Sequence, residues 1–442
     1  MSMIGTVLMA ITALASPALS SSMPRQGPPS GWVPMGSADP MAPLAFTFMM
    51  KHNNLANLEK LFWEVSDPTH PNYAQYLSVE DIATIIQPPE IAMDTVLDWL
   101  QRTKHHVTKV DVATVSKDYL RAHMTVEAAN ELFETKFCRY ENSKASAIVR
   151  ICPGATYHLP SSVRASVDYI SGLTHLHQPR AALKRVGDRN VSSDGLNDPT
   201  NVKKLYNVPP TLKPTAANNS VAVAGFLGQY FSPDDVSAFI TKYDPTLPGS
   251  GKIAKVVGPN TPTSPGDEAS LDTQYIVAMS NGVTSWFWSD DAPNPINNQE
   301  PWLDFLAEVA NTTQVPWVFS ISYGEGESTW PVDYLNRINV EFMKLGLRGV
   351  SVLISSGDNG AGCNKGKFDP NFPASSPYVT AVGGTEGVSI TPEKVWPEGS
   401  GGFSNTFARP TYRPPSNSTW RLRKVLCRTL RCGTKQGEHF LM

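Results

Sequence analysis

Apolar residues recur along this chain in two registers. From Leu44 to about Leu176, runs with helical spacing interrupt runs that read as strands. Leu55, Leu58, Leu61 and Phe62 share one helical face, as do Ile91, Val96, Leu97 and Leu100, and Val126 to Phe133 keeps the same period. Val107 to Val115 reads as a strand between them, and together these runs predict a compact α+β unit. Residues 179–200 break the pattern: Arg180, Lys184, Arg185 and Arg189 are followed by Asn, Ser, Asp and Gly with almost nothing apolar. That is the composition of an exposed, cleavable linker. Beyond it, Val221 to Phe226, Trp317 to Tyr323 and Val350 to Ile354 are short apolar runs, and Pro233 to Tyr243, Ala269 to Met279 and Val332 to Lys344 have helical period. Strands apolar on both faces, alternating with helices, predict an α/β fold with a doubly wound parallel sheet. The Val350 run leads into Ser355-Ser356-Gly357-Asp358. Polar groups thus fall at the carboxyl edge of the sheet, where α/β folds place their sites.

Composition narrows the function classes. The 442 residues carry 37 Lys+Arg against 40 Asp+Glu, with 41% hydrophobic and 9% aromatic residues. Such a chain has material for two or three cores, and it is neither disordered nor a polycation that wraps nucleic acid. Five cysteines, Cys138, Cys152, Cys363, Cys427 and Cys432, have no zinc-ligand spacing. Cys138 and Cys152 flank a hairpin-like run, which leaves a disulfide there open. At the N-terminus, the apolar stretch Ile4 to Leu14 and the triplet Ala18-Leu19-Ser20 fit a secretory signal over 1–20, although no Lys or Arg precedes the stretch. Asn190, Asn218, Asn311 and Asn417 begin Asn-x-Ser/Thr triplets, so each is a glycosylation candidate. No other run approaches the ~18 apolar residues of a membrane span.

Three segments could carry chemistry. In Glu268-Ala269-Ser270-Leu271-Asp272 the spacing of four puts both carboxylates on one helical face, where they can share a proton. A solvated helix face is the plain alternative, but Ile276, Val277 and Met279 make the helix largely buried, and buried carboxylates need a partner. Ser356 to Gly362 is a glycine-rich turn after a buried strand, neither a P-loop nor a GxSxG elbow; its plain alternative is a strand-to-helix connection with Asp358 as a cap. The third segment, Phe372 to Thr385, reads equally as one more strand closing in a glycine turn.

In this order the segments resemble the sedolisin (serine-carboxyl) peptidases, and among them the lysosomal tripeptidyl-peptidase branch. The resemblance includes Ser66 to Tyr73 and Tyr76 to Asp81, which look like the activation domain of these enzymes, and it spans roughly residues 40–412. It implies a subtilisin-like sheet preceded by a ferredoxin-like proregion, and an acid-pH peptidase zymogen that releases tripeptides from free N-termini. Glu268 would then be the general base that activates a serine, Asp272 would orient it, and Asp358, protonated and buried at the strand end, would donate to the oxyanion. The implied partners are a peptide or protein substrate and the chain's own proregion, with no nucleic acid and no membrane span. The implied location is the secretory pathway, lysosomal or secreted. Calcium is the family's metal, held by a C-terminal Asp-rich loop.

The resemblance stops at Tyr412. The family's nucleophile motif Ser-Gly-Thr-Ser is absent, as is the calcium loop, and residues 413–442 carry seven Lys/Arg and one acidic residue without helix or strand period. The expected organisation is a signal over 1–20, a proregion over 40–178, a linker over 179–200, a partial peptidase domain over 201–412 and an unrelated basic tail over 413–442. The expectation for activity is a zymogen-like chain with the base pair and the oxyanion Asp but without the nucleophile. The alternative is a non-catalytic protein that binds a peptide or a peptidase.

Overall fold

The computed structural model describes residues 21–22, 31–102, 107–143, 145–176, 197–209, 211–247, 251–290, 301–360, 362–364, 367–386, 394–410 and 412. The expected signal, most of the linker, the basic tail, Asn190 and Asn417 lie outside the described residues.

The N-terminal unit is built on a four-stranded antiparallel sheet. Its strands, with the flanking elements, are β1 (Val33–Ser37), β2 (Pro43–Met50), β3 (Val107–Val112), β4 (Tyr119–Thr125), β5 (Phe137–Asn142), β6 (Ala145–Ile151) and β7 (Val167–Ser171). The main sheet runs β3-β4-β2-β7, and β1-β5-β6 form a second, three-stranded sheet. Helices α1 (Leu55–Ser66), α2 (Val79–Ile86) and α3 (Glu90–Gln101) follow β2, and α4 (Val126–Leu132) and α5 (Ser161–Ser166) fall between β4 and β7. This βαββαβ order with β2 and β4 central is ferredoxin-like, as the resemblance implies. Cys138 and Cys152 are disulfide-bonded, S–S 2.04 Å, beside the β5–β6 hairpin.

Strand β2 explains why this unit does not stand alone. Leu44, Phe46, Phe48 and Met50 point into the unit's own core with Trp99, Phe133 and Phe137. On the opposite face, Met49 joins Tyr119 in a cluster with Phe319, Tyr334, Ile338 and Phe342 of the following unit. Alternate residues of one strand therefore feed two cores, which is why the strand is buried without a break from Leu44 to Met50 and apolar there except at Thr47.

The second unit contains a six-stranded parallel sheet in the order β9-β10-β8-β11-β12-β13, with β8 (Ser220–Gly225), β9 (Ile253–Val257), β10 (Thr284–Ser289), β11 (Val318–Ile321), β12 (Ser351–Ser355) and β13 (Thr380–Val382). Helix α6 (Pro199–Leu205) leads in. Helices α7 (Pro233–Tyr243) and α8 (Asp267–Met279) bury Val236, Ile240 and Val277 against Val223 and Phe287 on one face. Helices α9 (Pro301–Asn311) and α10 (Val332–Leu347) cover the other, where Phe305, Leu306 and Leu345 meet Ala222, Trp288, Phe319 and Val352. Helices on both faces make the sheet doubly wound, as expected. Strands β9 and β10 and helices α6 and α9 were not anticipated. The signal for α9 is present in Trp302, Phe305, Leu306 and Val309 at spacings of three and four, whereas β10 is a six-residue aromatic run that period alone does not distinguish from a loop.

Helix α10 is buried on nearly all sides, including Arg337, Glu341 and Lys344. The sheet covers one side of it. On another, Val340, Met343 and Leu347 pack against Leu58, Phe62, Val65, Ile82 and Ile86 of α1 and α2. Gly346 permits this approach, since a Cβ there would stand 2.3 Å from the Phe62 ring. The contact closes with the Leu77 amide donating to the Leu347 carbonyl at 2.8 Å.

Candidate active site

Helix α8 begins where the chain crosses the carboxyl edge of the sheet. Its first turn is capped from outside. Gln229, in the loop after β8, accepts through Oε1 from the Glu268 amide at 3.2 Å, and a Cβ on Gly266 would stand 2.0 Å from that oxygen. Glycine at 266 therefore lets the carboxamide seat. Glu268 is buried at 8% exposure and Asp272, one turn on, is half-buried. Ser322, directly after β11, donates to Asp272 Oδ1 at 2.9 Å. Since β8 and β11 are neighbours in the sheet, the Glu268 backbone and the Asp272 carboxylate are tied to loops that leave the carboxyl ends of adjacent central strands, the edge at which α/β folds place their sites.

Asp358 follows β12, the next strand over. Burial was expected for it, and the structure differs: Asp358 is exposed. The physical reason is the path of its loop. Gly357 takes φ +104, the Gly357 carbonyl accepts from the Ser400 amide at 2.7 Å, and Gly360 donates to the Glu398 carbonyl at 2.8 Å. These bonds hold the turn by its backbone and leave the Asp358 carboxylate facing outward.

The most heavily hydrogen-bonded acid at this edge is one that the sequence motifs did not single out. Glu327 is 2% exposed and starts a short 3-10 turn, Glu327–Thr329. Its Oε2 accepts from Ser375 Oγ and Ser404 Oγ, both at 2.7 Å. Its Oε1 accepts from the amides of Asn405 and Thr406 at 2.8 and 3.0 Å and from Thr406 Oγ1 at 2.9 Å. Its buried polar oxygens are thus satisfied by hydrogen bonds from five donors. Here it binds the segment after β11 to residues 375 and 404–406. The single signal in the sequence is an acid among Ser and Gly in Gly324 to Thr329, which many loops share.

A second buried charge cluster lies between the two units. Asp118 Oδ2 meets His52 Nε2 at 2.6 Å, Arg337 Nη2 at 2.7 Å and Lys344 Nζ at 2.5 Å, and Lys344 also meets Glu341 at 2.9 Å. Burial alone would push the Asp118 carboxyl up, but the Lys344 and Arg337 cations outweigh it and hold it well below the usual range. His52, Asp118 and Glu341 are the one group among the described residues whose ligand atoms lie close enough to share an ion, within 4.8 Å. They do not fit calcium, which takes six to eight oxygens, because one of the three is an imidazole and two cations already fill the space. No step of the chemistry is routed through a metal.

Residues 30–176 match the Pro-kumamolisin activation domain. The chain is 37% identical over 399 residues to Tripeptidyl-peptidase 1 of Mus musculus, and 35% identical over 401 residues to that of Homo sapiens; each alignment covers 87% of this chain and 69% of the relative. The chain belongs to the sedolisin family. Its structure also aligns with Pseudomonas sedolisin (serine-carboxyl proteinase) complexed with two molecules of pseudo-iodotyrostatin at 23% identity, over 49% of this chain and 65% of that one, with a TM-score of 0.38. The N-terminal unit is thus the proregion of a sedolisin zymogen, docked on the peptidase unit through α10.

Two glycosylation candidates are described. Asn218 is exposed. Asn311, at the end of α9, instead reaches the proregion: its Nδ2 donates to the Ala113 carbonyl at 2.5 Å and its Oδ1 accepts from the Val115 amide at 2.8 Å. Among the described residues no helix is long and apolar enough to cross a membrane.

Proposed function

We propose that this chain is the zymogen form of a serine-carboxyl peptidase of the tripeptidyl-peptidase type, with Glu268 as general base, Asp272 as its orienting partner and Asp358 as the oxyanion donor. The observation that carries this reading is the buried Glu268, its backbone amide bonded to Gln229, one helical turn from Asp272, whose carboxylate accepts from Ser322, at the carboxyl edge of the parallel sheet. Glu268 would take the hydroxyl proton of an attacking serine and return it to the leaving amine. A carboxylate base, whose reference pKa as a free side chain is ~4, suits this to mild acid, and hence to a lysosomal or secreted location. The substrate class is peptides with free N-termini, cleaved three residues in.

These 442 residues contain no Ser-Gly-Thr-Ser, and Asp358 is exposed rather than seated in a closed oxyanion hole. Both support the further proposal that the chain by itself does not hydrolyse peptides. The test is incubation of the purified 442-residue protein with a fluorogenic tripeptidyl amide at pH 4.5. No release is expected. Release that disappears in Glu268→Gln would overturn the inactivity while upholding the assignment of the base, and release that persists in that variant would overturn the assignment itself.

A further inference from the structure

The turn that carries Asp358 is gripped from two sides, and both sides lead back to Glu327. On the first side, Asn371 Nδ2 donates to the Ser356 carbonyl at 3.0 Å. It comes so close that a Cβ on Gly357 would stand 1.7 Å from it, an approach that glycine alone permits. On the second side, the Ser400 amide donates to the Gly357 carbonyl at 2.7 Å, and Ser400 Oγ accepts from the Asn359 amide at 2.9 Å. The Glu398 carbonyl accepts from the Gly360 amide at 2.8 Å. Residues 369–376 and 398–406 thus form two jaws with residues 356–360 between them, and none of these bonds uses the Asp358 carboxylate. Glu327 joins the jaws. Its Oε2 accepts from Ser375 of the first and Ser404 of the second, each at 2.7 Å, while Oε1 takes the amides of Asn405 and Thr406. The first jaw has further anchors on the same segment. The Glu327 amide donates to the Pro370 carbonyl at 2.8 Å, Asp369 accepts from the Ser328 amide and hydroxyl at 2.9 and 2.7 Å, and Glu325 and Gly326 pair with Phe372 and Asn371. The second jaw is tied to the first also by Asn405 Nδ2 on the Phe368 carbonyl at 2.7 Å and by the Phe407 ring beside Phe372. Glu327 is 2% exposed, so opening the second jaw would strip a buried acceptor of its Ser404, Asn405 and Thr406 donors, and the carboxylate resists that opening.

We propose that Glu327 is a positioning residue for Asp358: its carboxylate bolts the two jaws together and so fixes where the 356–360 turn presents the Asp358 side chain. This rests on the reading of Asp358 as the oxyanion donor. Glu327 lies on the segment after β11 and Asp358 follows β12, its neighbour in the sheet, so the bolt works between adjacent loops of one edge. An oxyanion donor is effective only when it is in place before charge develops. On an exposed turn, order of that kind has to come through the backbone, and the jaws supply it without covering the side chain.

The experiment has two arms, both on the whole chain. The first is hydrogen exchange at neutral pH of the Asn359 and Gly360 amides, whose acceptors lie on the second jaw. In Glu327→Ala both should exchange about tenfold faster. The Ser375 amide, bonded to the Asn371 carbonyl within the first jaw, and the β8–β11 ladder should keep their protection. Ser400→Ala removes the Asn359 acceptor directly, and added to Glu327→Ala it should speed Asn359 little further, because both open the same jaw. Unchanged Asn359 and Gly360 in Glu327→Ala overturn the proposal, as do effects of the two substitutions that multiply. A ladder that loses protection along with the turn overturns it too, since Glu327 would then serve the fold at large. The second arm is binding, in mild acid, of a tripeptidyl phosphinate, an anionic tetrahedral mimic of the addition step. Asp358→Ala should weaken it about tenfold, Glu327→Ala by a similar factor, and the two together no more than either alone. A full further loss when Glu327→Ala is added to Asp358→Ala means that Glu327 acts by another route, and overturns its positioning of Asp358. A phosphinate that the unmodified chain does not bind, or that Asp358→Ala binds equally well, overturns the oxyanion reading itself, and the exchange result then decides the bolt alone.

Discussion

Replacing Glu327 by alanine removes the acceptor for five donors at once. Two of these are the backbone amides of Asn405 and Thr406, which cannot turn away, and three are hydroxyls of Ser375, Ser404 and Thr406, which can rotate toward water. Hydrogen bonds to a charged group are worth ~1.5–3 kcal/mol each and do not add when they share two oxygens. Counting the two amides in full and the hydroxyls at little, the segment at 404–406 loses about 3 kcal/mol of its attachment to residues 327 and 375. Because that segment can come away locally, the loss need not appear as global unfolding. Hydrogen exchange of the Asn405 and Thr406 amides is therefore the sensitive assay, and about 3 kcal/mol corresponds to exchange faster by about a hundredfold. Glu327→Gln keeps one acceptor oxygen and should show about 1 kcal/mol, or some fivefold. If both amides exchange in Glu327→Ala within twofold of the parent, the carboxylate is not what holds this loop, and the account of the edge given above is wrong.

The other predictions concern the boundary between the units. Gly346→Ala drives a methyl into the Phe62 ring and should cost ~1–3 kcal/mol in urea denaturation, as overpacking does. Asn311→Ala removes both bonds to the 113–115 turn and should cost about 1–2 kcal/mol, read as faster exchange of the Val115 amide with the β8–β11 ladder unchanged. Asp118→Asn leaves Lys344 with Glu341, and Arg337 with Glu341 and the more distant Asp168, and should destabilise by ~3–5 kcal/mol, checked by the urea midpoint at pH 7.

Much of this architecture was legible in the order of residues. Helix α7 begins and ends at Pro233 and Tyr243 as its period predicts, and α8 extends its predicted span by only two residues, Asp267 and Glu268. Ser78 caps α2 in a capping box with Asp81, residues that also belong to the activation-domain resemblance. The spacing of Glu268 and Asp272 was enough to place both on one face. Local periodicity reports which face of an element avoids water, and these features depend on little else.

What covers each face is a different matter, because it is decided by residues far away in the chain. Asp118 and Arg337 are 219 positions apart, and neither has a neighbourhood that marks it as half of a buried pair. The sequence led to a buried Asp358 because its strand is buried, but the backbone bonds of Gly357 and Gly360 to the 398–400 segment turn that carboxylate outward. It passed over Glu327 because five donors from two distant segments converge there only after folding. The sequence by itself determined most of the elements, the two units and the carboxylate pair on α8. Tertiary structure alone decided which charges are sealed from water and how the proregion is held, since the cost of burying a charge is set by partners that folding brings to it.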